Sequence, residues 1–144
     1  MIAVRAELVI YVQRLGPMRA FYVGCLGLVV VEQDDTTAML ESDGWTLHLV
    51  TVPAAVAATI GSGDPPRRRA QTPLKPVFEV TAIEALREQI AERGGELDPP
   101  ERGRSFGGAV RLDALDPEGN VIQLLQADSA WNGDLTPDMG VDSP

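Results

Sequence analysis

A chain of 144 residues and 15.4 kDa can bury a real core as one domain, without disulfides or a structural metal. Its 44% hydrophobic and 23% charged residues are those of a globular protein; no run nears the ~18 apolar residues of a membrane helix, and the single cysteine, Cys25, excludes an internal disulfide and a cysteine-built zinc site. Twenty-one acidic against 12 basic residues give a net charge of −9, the wrong sign for a nucleic-acid partner. Met1–Arg5 lacks the basic-then-apolar layout of a signal peptide, which predicts a cytoplasmic protein.

Residues 6–12 alternate, with Leu8, Ile10 and Val12 on one face and Glu7, Val9 and Tyr11 on the other, the period of a half-buried strand. Met18, Phe21, Tyr22 and Cys25 then recur at the spacing of one helix face, and Gly27 ends the helix. Cys25 on that face reads as plain core. Val29–Val31, Thr37–Glu41 and, after Asp43-Gly44, Trp45–Thr51 read as three further strands. Residues 52–74 read as an exposed connection with a helical turn after Pro53, its Arg67-Arg68-Arg69 triplet solvated.

The same order then repeats. Lys75–Val80 reads as a strand with Lys75, Val77 and Glu79 on one face, although Pro76 cannot donate to a ladder and predicts a bulge or an edge position. Thr81 and Glu84 suggest a capping box for a helix carrying Ile83, Leu86 and Ile90, ended by Gly94-Gly95. Glu96-Leu97, Ala109–Leu115 and Asn120–Gln126 read as strands, the last following the turn Asp116-Pro117-Glu118-Gly119. Gly103–Gly108 precedes a strand rather than a helix, so it lacks phosphate-loop geometry and reads as a flap with Phe106 as an apolar lid.

Glu7 to Gly27 and Lys75 to Gly95 are both separations of 20 residues, and Gly44–Leu49 mirrors Gly119–Leu124. Two aligned landmarks argue for a duplicated βαβββ unit: a first module at 1–51, a linker at 52–74, a second module at 75–126 and an acidic solvated tail at 127–144. Leu8, Ile10, Leu47, Leu49, Phe78, Ile122 and Leu124 suit the helix-covered sheet face. Glu7, Tyr11, His48, Lys75, Glu79 and Gln123 fall on the other, where buried polar groups need partners or a ligand. Arg111, Asp113 and Phe106 are further candidates for lining the same space.

The motifs Phe21-Tyr22, Leu26-Gly27-Leu28, Gly94-Gly95 and Asp116-Pro117-Glu118-Gly119-Asn120 followed by Ile122-Gln123-Leu124 resemble those of the vicinal oxygen chelate superfamily, which includes glyoxalase I, bleomycin resistance proteins and extradiol dioxygenases. The resemblance spans residues 5–126. It implies an α+β fold in which two βαβββ modules form a curled mixed sheet around a cavity, with helices on the outer face, and a homodimer. It also implies that the first and last strands of each module supply metal ligands in metal-using members, positions that fall on Glu7, His48, Lys75 and Gln123. Lysine is a poor ligand and repels a divalent cation. A metal-free receptor for a small apolar or aromatic molecule, of the antibiotic-sequestering type, is therefore the leading expectation, with Lys75 paired to Glu7. The alternatives are a lyase, isomerase or dioxygenase holding Zn, Ni, Fe or Mn on Glu7, His48 and Gln123, a metal-free enzyme in which Glu7 or His48 moves a proton, and a non-catalytic accessory dimer. With only two tryptophans, two tyrosines and three phenylalanines, a stacking-rich binding groove is disfavoured.

Overall fold

The computed structural model describes residues 5–60, 67–128 and 135–136. In the first module β1 (Ala6–Val12) leads into α1 (Leu15–Leu26), then β2 (Val29–Gln33), β3 (Thr37–Ser42) and β4 (Trp45–Thr51). The strands order β1-β4-β3-β2, with β1 parallel to β4 and the other pairs antiparallel. After α2 (Ala54–Ile60), the second module runs β5 (Val77–Glu79), α3 (Arg87–Glu92), β6 (Glu96–Leu97), β7 (Gly103–Phe106), β8 (Ala109–Leu115) and β9 (Val121–Ala127). Here β5 is parallel to β9, β9 antiparallel to β8, and both β6 and β7 pair with β8. The pair β6/β7 thus takes the place of β2, broken by a 3₁₀ turn at Pro100–Arg102. The two modules share one topology, as the equal spacings predict.

The expected helix-covered residues form or pack against a single core drawn from both modules. Leu40, Leu47 and Leu49 from one sheet and Leu112, Ile122 and Leu124 from the other close on Met18, Phe21, Tyr22 and Cys25 of α1 and Ile90 of α3. Gly27 ends α1 in the left-handed region at φ 73°, its N–H returning to the last-turn carbonyls of Tyr22 and Val23. An edge-on contact of Trp45 with Phe78 and a tilted contact of Tyr22 with Phe78 tie the modules together, while Phe21 packs edge-on against Tyr22 within α1.

The tightest link is the Asp-Pro-Glu-Gly-Asn turn. Asp116 is fully buried and accepts from the Tyr22 hydroxyl (2.8 Å), the backbone N–H groups of Glu118 and Asn120 (2.9 and 3.0 Å) and the Asn120 amide (2.8 Å). The Glu118 carboxylate in turn accepts from the backbone N–H groups of Gln13 and Arg14, at 2.9–3.0 Å. Those groups enter α1, which has no side-chain cap of its own, so an anion from the second module stands at the helix start. Burial, then the Asp116 charge and hydrogen bond, then the Glu118 charge push the Tyr22 phenol well above its ordinary range.

The native state therefore holds the Tyr22 proton to higher pH than the unfolded chain does. Stability from this group is full below the unfolded value of about 10 and falls as pH rises beyond it. In a Tyr11→Phe variant, where Tyr22 is the only tyrosine, tyrosinate absorbance should appear only as the protein unfolds. Ionisation within an intact fold would contradict the buried pairing.

Four expectations need correction. No capping box forms: a 3₁₀ turn at Glu84–Leu86 precedes α3, the Ile83 N–H donates to Gln126 on β9, and Glu84 is drawn to Arg87 at 2.7 and 2.8 Å. A charge-assisted bond outcompetes the weaker reach back to a backbone N–H. The Lys75–Val80 strand is shortened to Val77–Glu79, though the Pro76 carbonyl still accepts from the Gln123 N–H. Gly103–Gly108 is not a flap but a hairpin: Gly107 and Gly108 at φ 62° and 76° turn β7 into β8, with Phe106 opposite Ala109.

Fourth, the arginine triplet is not simply solvated. Arg68 pairs with Asp98 (2.9 Å) and Asp113 (3.5 Å), and Arg69 bonds the Gly119 and Glu118 carbonyls (2.9 and 3.1 Å). The connection also holds two turns of helix, α2, rather than one. Of the tail, Ala127 ends β9, Asp128 accepts from the Ser105 hydroxyl, and Leu135–Thr136 forms β10, parallel to β7. Residues 129–134 and 137–144 lie outside the described residues.

Candidate functional site

Strand alternation puts the helix-free faces where the candidate residues lie. On the first sheet Glu7 lies opposite Thr46, Val9 opposite His48 and Tyr11 opposite Val50. His48 Nδ1 stands 3.4 Å from Glu7 Oε1, with the two side chains 26% and 45% exposed. Tyr11 is 65% exposed and takes no part in that pair. On the second sheet the rows are Val77–Gln123–Asp113 and Glu79–Leu125–Arg111.

Asp113 is the hub of the second group. It receives the Lys75 ammonium at 2.9 Å, the Gln123 amide at 3.3 Å and the Arg68 guanidinium at 3.5 Å. The carbonyl oxygen of Gln123, itself buried, accepts from Arg111 at 3.0 Å. Arg111 then lies over the Phe106 ring, 5.6 Å from its centroid. Arg68 is raised above its ordinary value, first by its hydrogen bond to Asp98, while desolvation works in the opposite direction.

The structure thus brings Glu7 to His48 on one sheet, and Lys75, Gln123, Arg111 and Phe106 together in the second module. Among the described residues, no ion pair or hydrogen bond joins the two groups. The expected Glu7–Lys75 pair does not form: Lys75 lies just before β5, and Asp113 of β8 captures its ammonium. Glu79 lies in the row of Arg111 and also borders a cleft of about 750 Å³ with Cys25, Gly27, Thr81 and Leu86. Reasoning from sequence underweighted Asp113 and missed Arg68. The only signal for Asp113 was its place two residues after Arg111 on a strand, which puts both charges on one face.

The donor set does not suit the divalent ion that the four strand positions hold in metal-using relatives. Gln123 offers its oxygen to a guanidinium, and the third position carries an ammonium already paired with a carboxylate. An ion there would face Lys75 and Arg111 at close range, with repulsion weakly screened at a partly buried site. Among the described residues, no group of three or more His, Cys, Asp or Glu side chains is placed to hold a metal. No helix among them is long and apolar enough to cross a membrane.

The architecture is shared with solved structures at low sequence identity. A glyoxalase-related enzyme from Fulvimarina pelagi superposes with TM-score 0.63 at 16% identity, covering 87% of this chain and 88% of that one. The fosfomycin resistance protein FosX from Listeria monocytogenes gives TM-score 0.63 at 16% identity, covering 88% and 95%. The hypothetical protein SA1046 from S. aureus gives 0.58 at 17% identity, covering 88% and 95%. No curated protein matches the sequence. A model of the Glyoxalase/Bleomycin resistance protein/Dioxygenase superfamily matches residues 5–124, and with the duplicated βαβββ topology this establishes that the chain belongs to that superfamily, the vicinal oxygen chelate proteins.

Proposed function

We propose that this protein is a metal-free receptor for a small apolar or aromatic molecule, held between the helix-free faces of its two modules. The observation that carries the reading is the Lys75 ammonium on Asp113 at 2.9 Å, beside a Gln123 oxygen taken by Arg111 at 3.0 Å. At two of the four positions where metal-using relatives supply ligands, this chain places a cation or a carbonyl already engaged by one. Val9 and Tyr11 (43% and 65% exposed) on one face, and Val77 and Phe106 (46% and 47%) on the other, supply apolar surface for a ligand body. One structural neighbour carries the name of an antibiotic resistance protein, which accords with a small-molecule ligand.

The same reading assigns the protein to the cytoplasm as a homodimer, whose second copy covers part of these open faces; light scattering should give about twice the 15.4 kDa chain mass. A panel of small aromatic compounds should raise the melting temperature in the presence of a chelator. Stabilisation that appears only with an added divalent ion would overturn the proposal.

A second reading rests on the 3.4 Å Glu7–His48 pair, a carboxylate orienting an imidazole for proton transfer without a metal. Under it, a turned-over compound should lose its product on both Glu7→Gln and His48→Ala, while the melting shift it causes persists. Turnover that survives both substitutions would exclude this role for the pair.

A further inference from the structure

We infer that the ligand carries an anionic oxygen group, a carboxylate or a phosphonate, which docks on Arg111 while its aromatic body packs toward Phe106. The inference rests on the receptor reading and names the ligand class of that same site.

Although the chain as a whole carries −9, the group of side chains linked through Asp98, Asp113 and Gln123 is locally cationic. Arg68, Lys75, Arg102 and Arg111 stand against two carboxylates, Asp98 and Asp113. The first three cations each lie within 4.0 Å of one of those carboxylates; among the described residues Arg111 has none. Its Nη1 donates to Gln123, its Nε is buried without a partner, and its Nη2 donates to no described residue. A buried guanidinium nitrogen left short of an acceptor, on a cation with no counter-charge, is unfavourable unless a ligand compensates.

The side chain is also held in place rather than free to seek solvent. Gln123, fixed from its other end by Asp113, grips one nitrogen, and the Phe106 ring supports the guanidinium plane. A planar fork presented in this way suits an oxyanion, with an aromatic surface beside it for an adjoining ring.

The test titrates the full-length protein with benzoate, phenylphosphonate, benzyl alcohol and inorganic phosphate, followed by amide chemical shifts. Benzoate or phenylphosphonate should bind at least tenfold more tightly than benzyl alcohol, with the preference shrinking as salt rises. Inorganic phosphate should bind more weakly than phenylphosphonate, because it lacks the body. The better of benzoate and phenylphosphonate identifies the oxyanion. Arg111→Gln should remove the anion preference, so that the ratio of benzoate to benzyl alcohol affinity falls toward one. Arg111→Lys, which keeps the charge but loses the fork, should retain only part of it and serves if the glutamine variant does not fold.

Equal binding of benzoate, phenylphosphonate and benzyl alcohol, an unchanged preference in Arg111→Gln, or no binding by any probe would overturn the inference. Phosphate binding as tightly as phenylphosphonate would overturn the role of the aromatic body. A metal requirement would sink the receptor reading while leaving the anion preference and its dependence on Arg111 separately measurable.

Discussion

Replacing Asp116 with alanine is expected to lower the unfolding free energy by about 2–5 kcal/mol, because it strands several donors at once. The Tyr22 hydroxyl and the Glu118 N–H are buried and would lose their acceptor, and the Asn120 N–H and amide would lose theirs as well. Part of the loss is offset by removing a carboxylate whose pKa burial raises, against the lowering hydrogen bonds from Asn120 and Tyr22. Total stabilities of small domains run to about 5–15 kcal/mol, so the variant should sit near the edge of folding. Asp116→Asn keeps an acceptor for the turn and should recover a large share. Urea denaturation measures both; an alanine variant within about 0.5 kcal/mol of the parent, the scatter of an ordinary surface substitution, would show that the seam between the modules does not depend on this residue.

Gly119→Ala is the second substitution with a large expected effect. Gly119 has φ 83°, where a side chain is strained, and an added Cβ would fall 1.9 Å from the Arg67 carbonyl oxygen. That oxygen belongs to backbone anchored nearby by the bonds of Arg69 to the Gly119 and Glu118 carbonyls. Strain of about 1–2 kcal/mol from the left-handed conformation adds to the displacement of that segment, for an expected loss of about 3 kcal/mol or more. The displacement also carries Arg68 away from Asp98 and Asp113, so the Gln123 and Arg111 amide resonances should move with the loss. By contrast Gly27→Ala, at φ 73° but with open space around the new Cβ, should show the conformational strain alone. Equal melting temperatures for the two variants would contradict the close approach at Gly119.

Much of the fold was legible because it is local. The alternation in Ala6–Val12, Trp45–Thr51 and Ala109–Leu115 fixed strands whose bounds the structure reproduces, and the Met18, Phe21, Tyr22, Cys25 stripe is the buried face of α1. Glycines at 27 and 94 end helical segments with positive φ, as their positions suggested. The equal spacing between the halves carried the topology.

What could not be read depends on partners far away in sequence. Tyr22 and Asp116 are 94 residues apart, and Gln13 and Glu118 are 105 apart. The Asp-Pro-Glu-Gly-Asn segment looked like a turn and a family signature; its role as the clasp between modules needed both ends in view. The same is true of the site. The equivalent positions of Glu7 and Lys75 in their modules suggest a pair, whereas Asp113, 38 residues on along β8, takes the ammonium. Competing electrostatic partners decide such pairings, and their distances are a property of the folded sheet. The failure of the Thr81–Glu84 capping box has the same origin: Arg87 within α3 and Gln126 on β9 offered better partners.

In the proposed receptor, cations of the second module stand where metal-using relatives keep a chelating centre. Elemental analysis after equilibration with zinc, nickel, iron or manganese and removal of free ion tests this most directly. The predicted result is no stoichiometric ion on the parent chain and no difference in His48→Ala. One ion per chain, lost on His48→Ala or Glu7→Gln, would contradict it.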